Sequence, residues 1–418
     1  MTESHDRLIE HFFRHESANL VAVLTRAFGM RRMDLVEDMV QTAMLEAMRA
    51  WKQRGIPPNP AAWIHRVAKH RIMDALRREK THEKAMALSR QTSRNQESVV
   101  DRWLEEDHLP DSLLRMMFVC CHPSLDRKSQ IALTLKTLCG FSVAEIARGV
   151  MLPHETVKKR IQRAKASLAS ADVRFDLPAG DELQNRRAVV HEVLYLMFNE
   201  GYSTSQGAEP IRDDICEEAA RLCHVLCTSP CNTRESEALL ALLLFHAARL
   251  NARVDGDGAV ILLEDQDRAQ WDSNLIAAAQ HWLMRSKAAQ PTRYHLEAAI
   301  ALQHCIAANV EETNWNTIVR LYDSLLHLCP SPLYILNRAI AQAQTGNTTE
   351  ARQQLDSLKN CKEMRDYILL DCAFGRIHEI EGERTKASQH YASALQKSAA
   401  EHERKLLQRI IDKLSDDS

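Results

Sequence analysis

Apolar positions recur at steps of three and four through the first eighty residues. Between Leu8 and Phe28 they fall at Phe12, Phe13, Leu20, Val21, Leu24 and Phe28, and Gly29 ends the run. That period predicts a helix with one buried face. A second helix is expected from an N-cap at Asp34 through Arg54, burying Val36, Met39, Val40, Ala43 and Ala47. Its other side carries Glu37, Asp38, Gln41, Thr42, Glu46 and Arg49. Pro57, Pro58 and Pro60 forbid continuation, so the chain must break there. A third helix is predicted from Ala61 to about Lys80, with Ile64, Val67, Ala68, Ile72, Ala75 and Leu76 buried. Arg66, Lys69, His70, Arg71, Arg77 and Arg78 flank that stripe.

A sharper pattern lies further on. Ile131, Leu135 and Leu138 share one helical face, and Cys139-Gly140-Phe141 turns the chain. Ser142 and Glu145 have the spacing of a capping box at the start of a short helix burying Val143, Ile146 and Ala147. Met151-Leu152-Pro153 makes a second turn before a helix from about His154 to Leu168. That last helix divides cleanly. Val157, Ile161, Ala164 and Leu168 share one face, while Thr156, Lys159, Arg160 and Arg163 share another with Lys158 and Lys165 beside it. An apolar face for anchoring and a basic face left free are what insertion into a DNA major groove requires. The fold class expected is all-α.

Composition supports that class. The 418 residues include only 12 Gly and 12 Pro, too few for the many tight turns of an all-β chain. Hydrophobic residues at 45% and charged residues at 26% are globular values, and the length suggests several domains. Residues 1–20 carry no apolar signal core, and no stretch is apolar enough to cross a bilayer. The 11 cysteines are scattered and odd in number, which reads as reduced thiols in a cytoplasmic protein.

Charge sharpens the division. Residues 1–90 hold 16 Lys and Arg against 11 Asp and Glu, and residues 125–175 hold 10 against 4. Between them, residues 91–124 hold 3 against 6, and residues 176–418 hold 25 against 35. Two basic blocks joined by an acidic connector imply a polyanion binder, followed by a long acidic half of another purpose. Intramolecular contact between that half and the basic blocks is electrostatically favoured.

These motifs together resemble the sigma factors of bacterial RNA polymerase, in particular the extracytoplasmic-function (ECF) class. Val36-Glu37-Asp38-Met39-Val40-Gln41-Thr42-Ala43 is similar to sigma region 2.2. The resemblance implies that Asp38 and Gln41 grip the clamp helices of the polymerase β′ subunit. Pro60–Ile64, Val67–Arg71 and Asp74–Arg78 look like regions 2.3 and 2.4, which open and read the minus-10 element. Trp63, Arg66, Lys69, His70, Arg71, Arg77 and Arg78 would carry that contact, because an extruded base needs a stacking surface and polar edges. His70 stands where such factors often have Asn. Residues 127–168 resemble region 4, implying minus-35 recognition by Thr156, Lys158, Lys159, Arg160, Arg163 and Lys165. Core polymerase, through β′ and the β flap, and promoter DNA are the implied partners.

The C-terminal half extends the resemblance. Tyr195–Tyr202, Ala238–Leu250, Asp255–Val260 and Leu262–Arg268 match the extension that one ECF subgroup carries, as does Cys120-Cys121-His122-Pro123. Near the end, Gly346, Ala351, Leu355 and Leu358 recur 36 residues later as Gly382, Ala387, Tyr391 and Ala394. That period resembles tetratricopeptide repeats (TPR). The expected domains are sigma region 2 at 1–80, a polar linker at 81–112, region 4 at 113–172, a helical extension at 180–290 and TPR-like repeats at 291–418.

Two candidate ion sites fail on chemistry. Cys216, Cys223, Cys227 and Cys231 have helical spacing but no CxxC pair, so they read as buried small hydrophobes. Asp255-Gly256-Asp257-Gly258 resembles half a calcium loop, but Gln266 occupies the position of the bidentate Glu. No nucleophile with a base and no phosphate loop is present, so no enzyme, metal or cofactor is expected. The alternative to a sigma factor is a stand-alone helix-turn-helix regulator with a TPR sensor. The Asp38/Gln41 helix and the Trp63–Arg78 segment favour the sigma factor, since a simple repressor needs neither.

Overall fold

The computed structural model describes residues 2–83, 109–149, 152–171, 173–202, 211–255, 259–361, 364, 367–398 and 401–416. Among them the chain is helical, with one isolated antiparallel bridge between Val254 and Val260. Two compact units divide it, Met1–Met197 and Phe198–Ser418. Of the polar linker expected at 81–112, residues 84–108 lie outside the described residues, while 81–83 and 109–112 are helical.

In the N-terminal unit, α1 (Thr2–Phe28) ends at Gly29, whose φ of 85° suits a residue without a side chain. A 3-10 turn at Met30–Arg32 feeds α2 (Met33–Arg54), so the cap falls at Arg32. Asp34, expected as the cap, sits in the first turn instead, because the 3-10 turn starts the helix early. Helix α3 (Pro60–Glu83) begins with proline at its first position, and the Asn59 side chain accepts from the Ala62 N–H at 3.0 Å. Leu20, Leu24, Val36, Val40, Ile64, Ala68 and Ile72 are fully buried in this bundle. His65 and Glu16 pair at 2.8 Å across α1 and α3.

Helix α4 (Leu109–Cys120) packs on α1, where Arg26 donates to Asp111 at 2.7 Å and Ser112 at 3.1 Å. Burial would raise the Asp111 carboxyl, but Arg115 and Arg26 override it and hold it below its ordinary value. The expected helix-turn-helix is present as α5 (Arg127–Thr137), α6 (Val143–Gly149) and α7 (His154–Ser170). The capping box closes in both directions: Glu145 N–H donates to Ser142 Oγ at 3.1 Å, and Ser142 N–H to Glu145 Oε2 at 2.7 Å.

Helix α8 (Gly180–Tyr202) crosses the boundary between the units. Its first half belongs to the N-terminal unit: Arg186 donates to the Phe118 carbonyl, and Glu192 pairs with Arg127 at 2.5 Å. The N-terminal unit thus runs through Met197, beyond the end of region 4 expected at 172.

The C-terminal unit contains α9 (Asp213–Cys227), α10 (Arg234–Ala247) and α11 (Ser273–Arg285). Ala238 to Leu243 are buried without interruption, so α10 is surrounded on every side. Glu237, also on α10, is 1% exposed and is neutralised by Arg234 at 3.0 Å and Arg285 at 3.1 Å. Seven further helices follow: α12 (Arg293–Ile306), α13 (Trp315–Leu328), α14 (Pro332–Gln344), α15 (Thr348–Leu358), α16 (Ile368–Ile380), α17 (Arg384–Lys397) and α18 (Glu401–Asp416). Each packs on its predecessor. Asp255 Oδ1 accepts from the Ala259 N–H at 2.8 Å, and Gly256, Asp257 and Gly258 of the segment that resembled a calcium loop lie outside the described residues.

Small residues set the helix spacing. A Cβ on Gly375 would come within 2.8 Å of the Tyr391 ring between α16 and α17. Gly375→Ala should therefore destabilise the C-terminal unit by about 1–3 kcal/mol. Calorimetric unfolding checks this, and an unchanged midpoint would show that the tyrosine yields freely.

Candidate nucleic-acid interface

Helix α7 is held by Val157, Ile161, Ala164 and Leu168, all buried, through contacts with α5 and α6. Thr156, Lys158, Lys159 and Arg163 are exposed on its other sides. Arg160 is half-buried and lies 3.8 Å from Asp126, the N-cap of α5. It therefore bridges the recognition helix to its support as well as flanking the exposed face.

Lys165 is placed differently from the other five. It is buried, and its Nζ donates to Asp34 Oδ1 and Glu37 Oε2, each at 2.8 Å. In this conformation it ties α7 to α2 and does not share the exposed basic face. Burial opposes its charge, but Glu37 and Asp34 outweigh it and raise its pKa above 10.5. A raised lysine pKa stabilises the fold fully below its unfolded value and is lost as pH climbs through the folded one. Lys165→Ala leaves Glu37 with no cation at a mostly buried position, a loss of about 3 kcal/mol. Denaturant unfolding at neutral pH checks that figure. The gap between variant and parent should shrink in strongly alkaline buffer, and a gap independent of pH would contradict the ion-pair account.

Helix α3 presents the second basic surface. Arg66, His70, Arg71 and Arg77 are exposed, and Lys69 is half-buried. Arg71 pairs with Glu46 of α2 at 2.5 Å, and Arg77 lies 3.4 Å from Asp74. Arg78 belongs to α3, but its side chain lies outside the described residues. Trp63 meets Trp51 edge-on at 5.9 Å, and Trp51 stacks on Phe13 at 5.2 Å. Sequence reasoning singled out Trp63 but missed Trp51, the aromatic that holds it in place.

On α2, Asp38 and Gln41 are exposed. Leu45 and Met48 continue their row at helical spacing and are 48% and 56% exposed. Sequence reasoning missed this apolar continuation, although the steps of three and four from Gln41 carry its signal. A row that joins a carboxylate, an amide and two large exposed apolar groups has the chemistry of a protein-docking face.

Among the described residues, one group has metal-like geometry: His378, Glu381 and Glu383. Its carboxylates are engaged, Glu383 with Lys386 at 2.8 Å and Glu381 with Arg352 at 3.2 Å.

A family model described as Sigma-70 region 2 matches residues 12–82, and one described as Sigma-70, region 4 matches residues 115–168. Residues 186–287 match a third, described as a family of unknown function (DUF6596). The chain belongs to the ECF sigma factors with a fused C-terminal extension. Uncharacterized protein R00370 of Rhizobium meliloti (strain 1021) is 37% identical to this sigma factor over 349 residues, covering 81% of this chain and 82% of that protein. No solved structure matches. The two sigma regions imply core RNA polymerase and promoter DNA as partners and a role in transcription initiation. The sigma-factor family acts without enzymatic chemistry. No helix of the described residues is long and apolar enough to cross a membrane.

Proposed function

We propose that this sigma factor directs core RNA polymerase to promoters carrying two recognition boxes. Asp38 and Gln41 dock on the β′ clamp helices, with Leu45 and Met48 extending the contact. Trp63, Arg66, Lys69, His70, Arg71, Arg77 and Arg78 serve the minus-10 element. Thr156, Lys158, Lys159, Arg160 and Arg163 serve the minus-35 element, and region 4 also meets the β flap. The exposed row on α2 carries this reading, because a factor that bound duplex DNA alone would have no use for it. The acidic C-terminal half supports initiation from the cytoplasm through a TPR-like helical array. What favours that array is the 36-residue recurrence together with the close approach of Gly375 to Tyr391.

Mobility-shift titrations with promoter DNA separate this from the stand-alone regulator. Specific binding that requires core polymerase is expected. Equally tight specific binding by the chain alone would favour the regulator.

A further inference from the structure

Cations gather in the C-terminal unit where α8, α10 and α12 end. Arg249 follows α10 and is 6% exposed, with its guanidinium 5.5 Å from the Trp271 ring. Arg268 lies 4.8 Å from the same ring. Arg253 sits 3.7 Å over Tyr202, whose ring meets His246 at 5.0 Å. His304 completes the group from α12, edge-on to Trp315 at 5.4 Å.

The cluster is not neutralised by ion pairs. No carboxylate of the described residues forms an ion pair with Arg249, Arg253 or Arg268. Flanking acids are engaged elsewhere: Asp214 with Arg212, Asp255 with Arg409 and Glu264 with Arg376. Asp267 and Asp272 cap helical turns. Burial pushes the Cys305 thiol up to about 11 and raises Cys216 strongly, so neither supplies a thiolate. Burial, with Arg249 next in effect, likewise holds both imidazoles neutral, His304 at about 3. Exposed Glu311 acts on Arg268 but forms no ion pair with it, so the positive potential is offset only in part.

The polar atoms are also unsatisfied. Nε of Arg249 and of Arg253, Nη2 of Arg268, Nδ1 of His246 and of His304, and Nε1 of Trp271 are buried without a hydrogen-bond partner. The Tyr202 hydroxyl is in the same condition. Arg268 spends its other terminal nitrogen on the carbonyls of His304 at 2.6 Å and Ala307 at 2.7 Å, which positions it. Stacking on aromatic rings offsets part of the desolvation of these guanidiniums but leaves their N–H groups unbonded. Buried cations and donors in this number are strongly unfavourable unless an anion joins them.

We propose that this cluster is a binding site for a small polyvalent oxyanion of the phosphate class, free or esterified, held by Arg249, Arg253 and Arg268. Three guanidinium forks call for more acceptor oxygens and more charge than a single carboxylate provides, and a tetrahedral oxyanion supplies both. The fused extension thereby becomes a ligand-binding module, which goes beyond the initiation role proposed above and does not depend on it.

Titration calorimetry and thermal unfolding of the full chain test this, in phosphate-free buffer at constant ionic strength. The probes are inorganic phosphate and glycerol 3-phosphate, with chloride and acetate as controls. Saturable binding of phosphate or the ester is expected, with a higher unfolding midpoint than in either control. The tighter of the two probes indicates whether the natural ligand is free or esterified. Arg249→Met should keep or raise the midpoint in chloride, since an uncompensated buried charge is gone, while weakening phosphate binding by about tenfold or more. If that variant does not fold, Arg253→Gln at a half-buried position gives the same reading. Equal responses to phosphate, acetate and chloride, or a folded variant that binds phosphate like the parent, would overturn the proposal.

Discussion

Asp38→Arg combined with Gln41→Ala is expected to abolish stable association with core RNA polymerase while leaving helicity intact. Both side chains are exposed on α2, so neither change disturbs the core formed by Val36, Val40 and Ala43. Thr42 Oγ1 donates to the Asp38 backbone carbonyl at 2.8 Å, a bond that the substitution preserves. Reversing a charge at a docking face and removing an amide beside it costs about 3–5 kcal/mol, between about a hundredfold and a few thousandfold in affinity. Co-purification with tagged core enzyme measures this, with far-UV circular dichroism as the folding control. Retention at parental levels would remove α2 from the interface.

The second large effect belongs to α7. Arg163 is exposed and has no role in the packing of the helix, whereas Arg160 also lies 3.8 Å from Asp126. Arg163→Ala should therefore isolate DNA reading, with a loss of about 1–3 kcal/mol at promoters having a good upstream box. Lys158→Ala or Lys159→Ala should instead weaken all promoters alike and reduce the salt dependence by about one phosphate contact. Holoenzyme binding to promoter series with altered upstream boxes separates these outcomes. If Arg163→Ala changes neither affinity nor box preference, the exposed face of α7 does not read bases.

The helices most legible in the sequence are those whose apolar period is undisturbed. Val157, Ile161, Ala164 and Leu168 marked the buried face of α7 directly, and the Ser142–Glu145 spacing located the start of α6. Local rules failed where a distant partner decided the outcome. Lys165 follows Arg163 by two residues in a basic stretch, and only the approach of α2 distinguishes the cation that is buried there. Asp34 has the chemistry of an N-cap, but the preceding 3-10 turn removed it from the cap position. The exposed Leu45 and Met48 escaped notice because apolar residues beside a buried stripe ordinarily extend it. The cluster of Arg249, Arg253 and Arg268 was the least legible of all. Its cations come from separate turns, and their lack of acidic partners is a property of the folded unit.

Run-off transcription with purified core polymerase, across a library of bacterial promoter fragments, decides whether this chain is an initiation factor. Discrete transcripts that require this chain are expected, each starting downstream of a shared pair of boxes and lost with Asp38→Arg plus Gln41→Ala. Transcripts unchanged by that double substitution, or promoter binding by the chain that never yields a transcript with active core, would contradict that role.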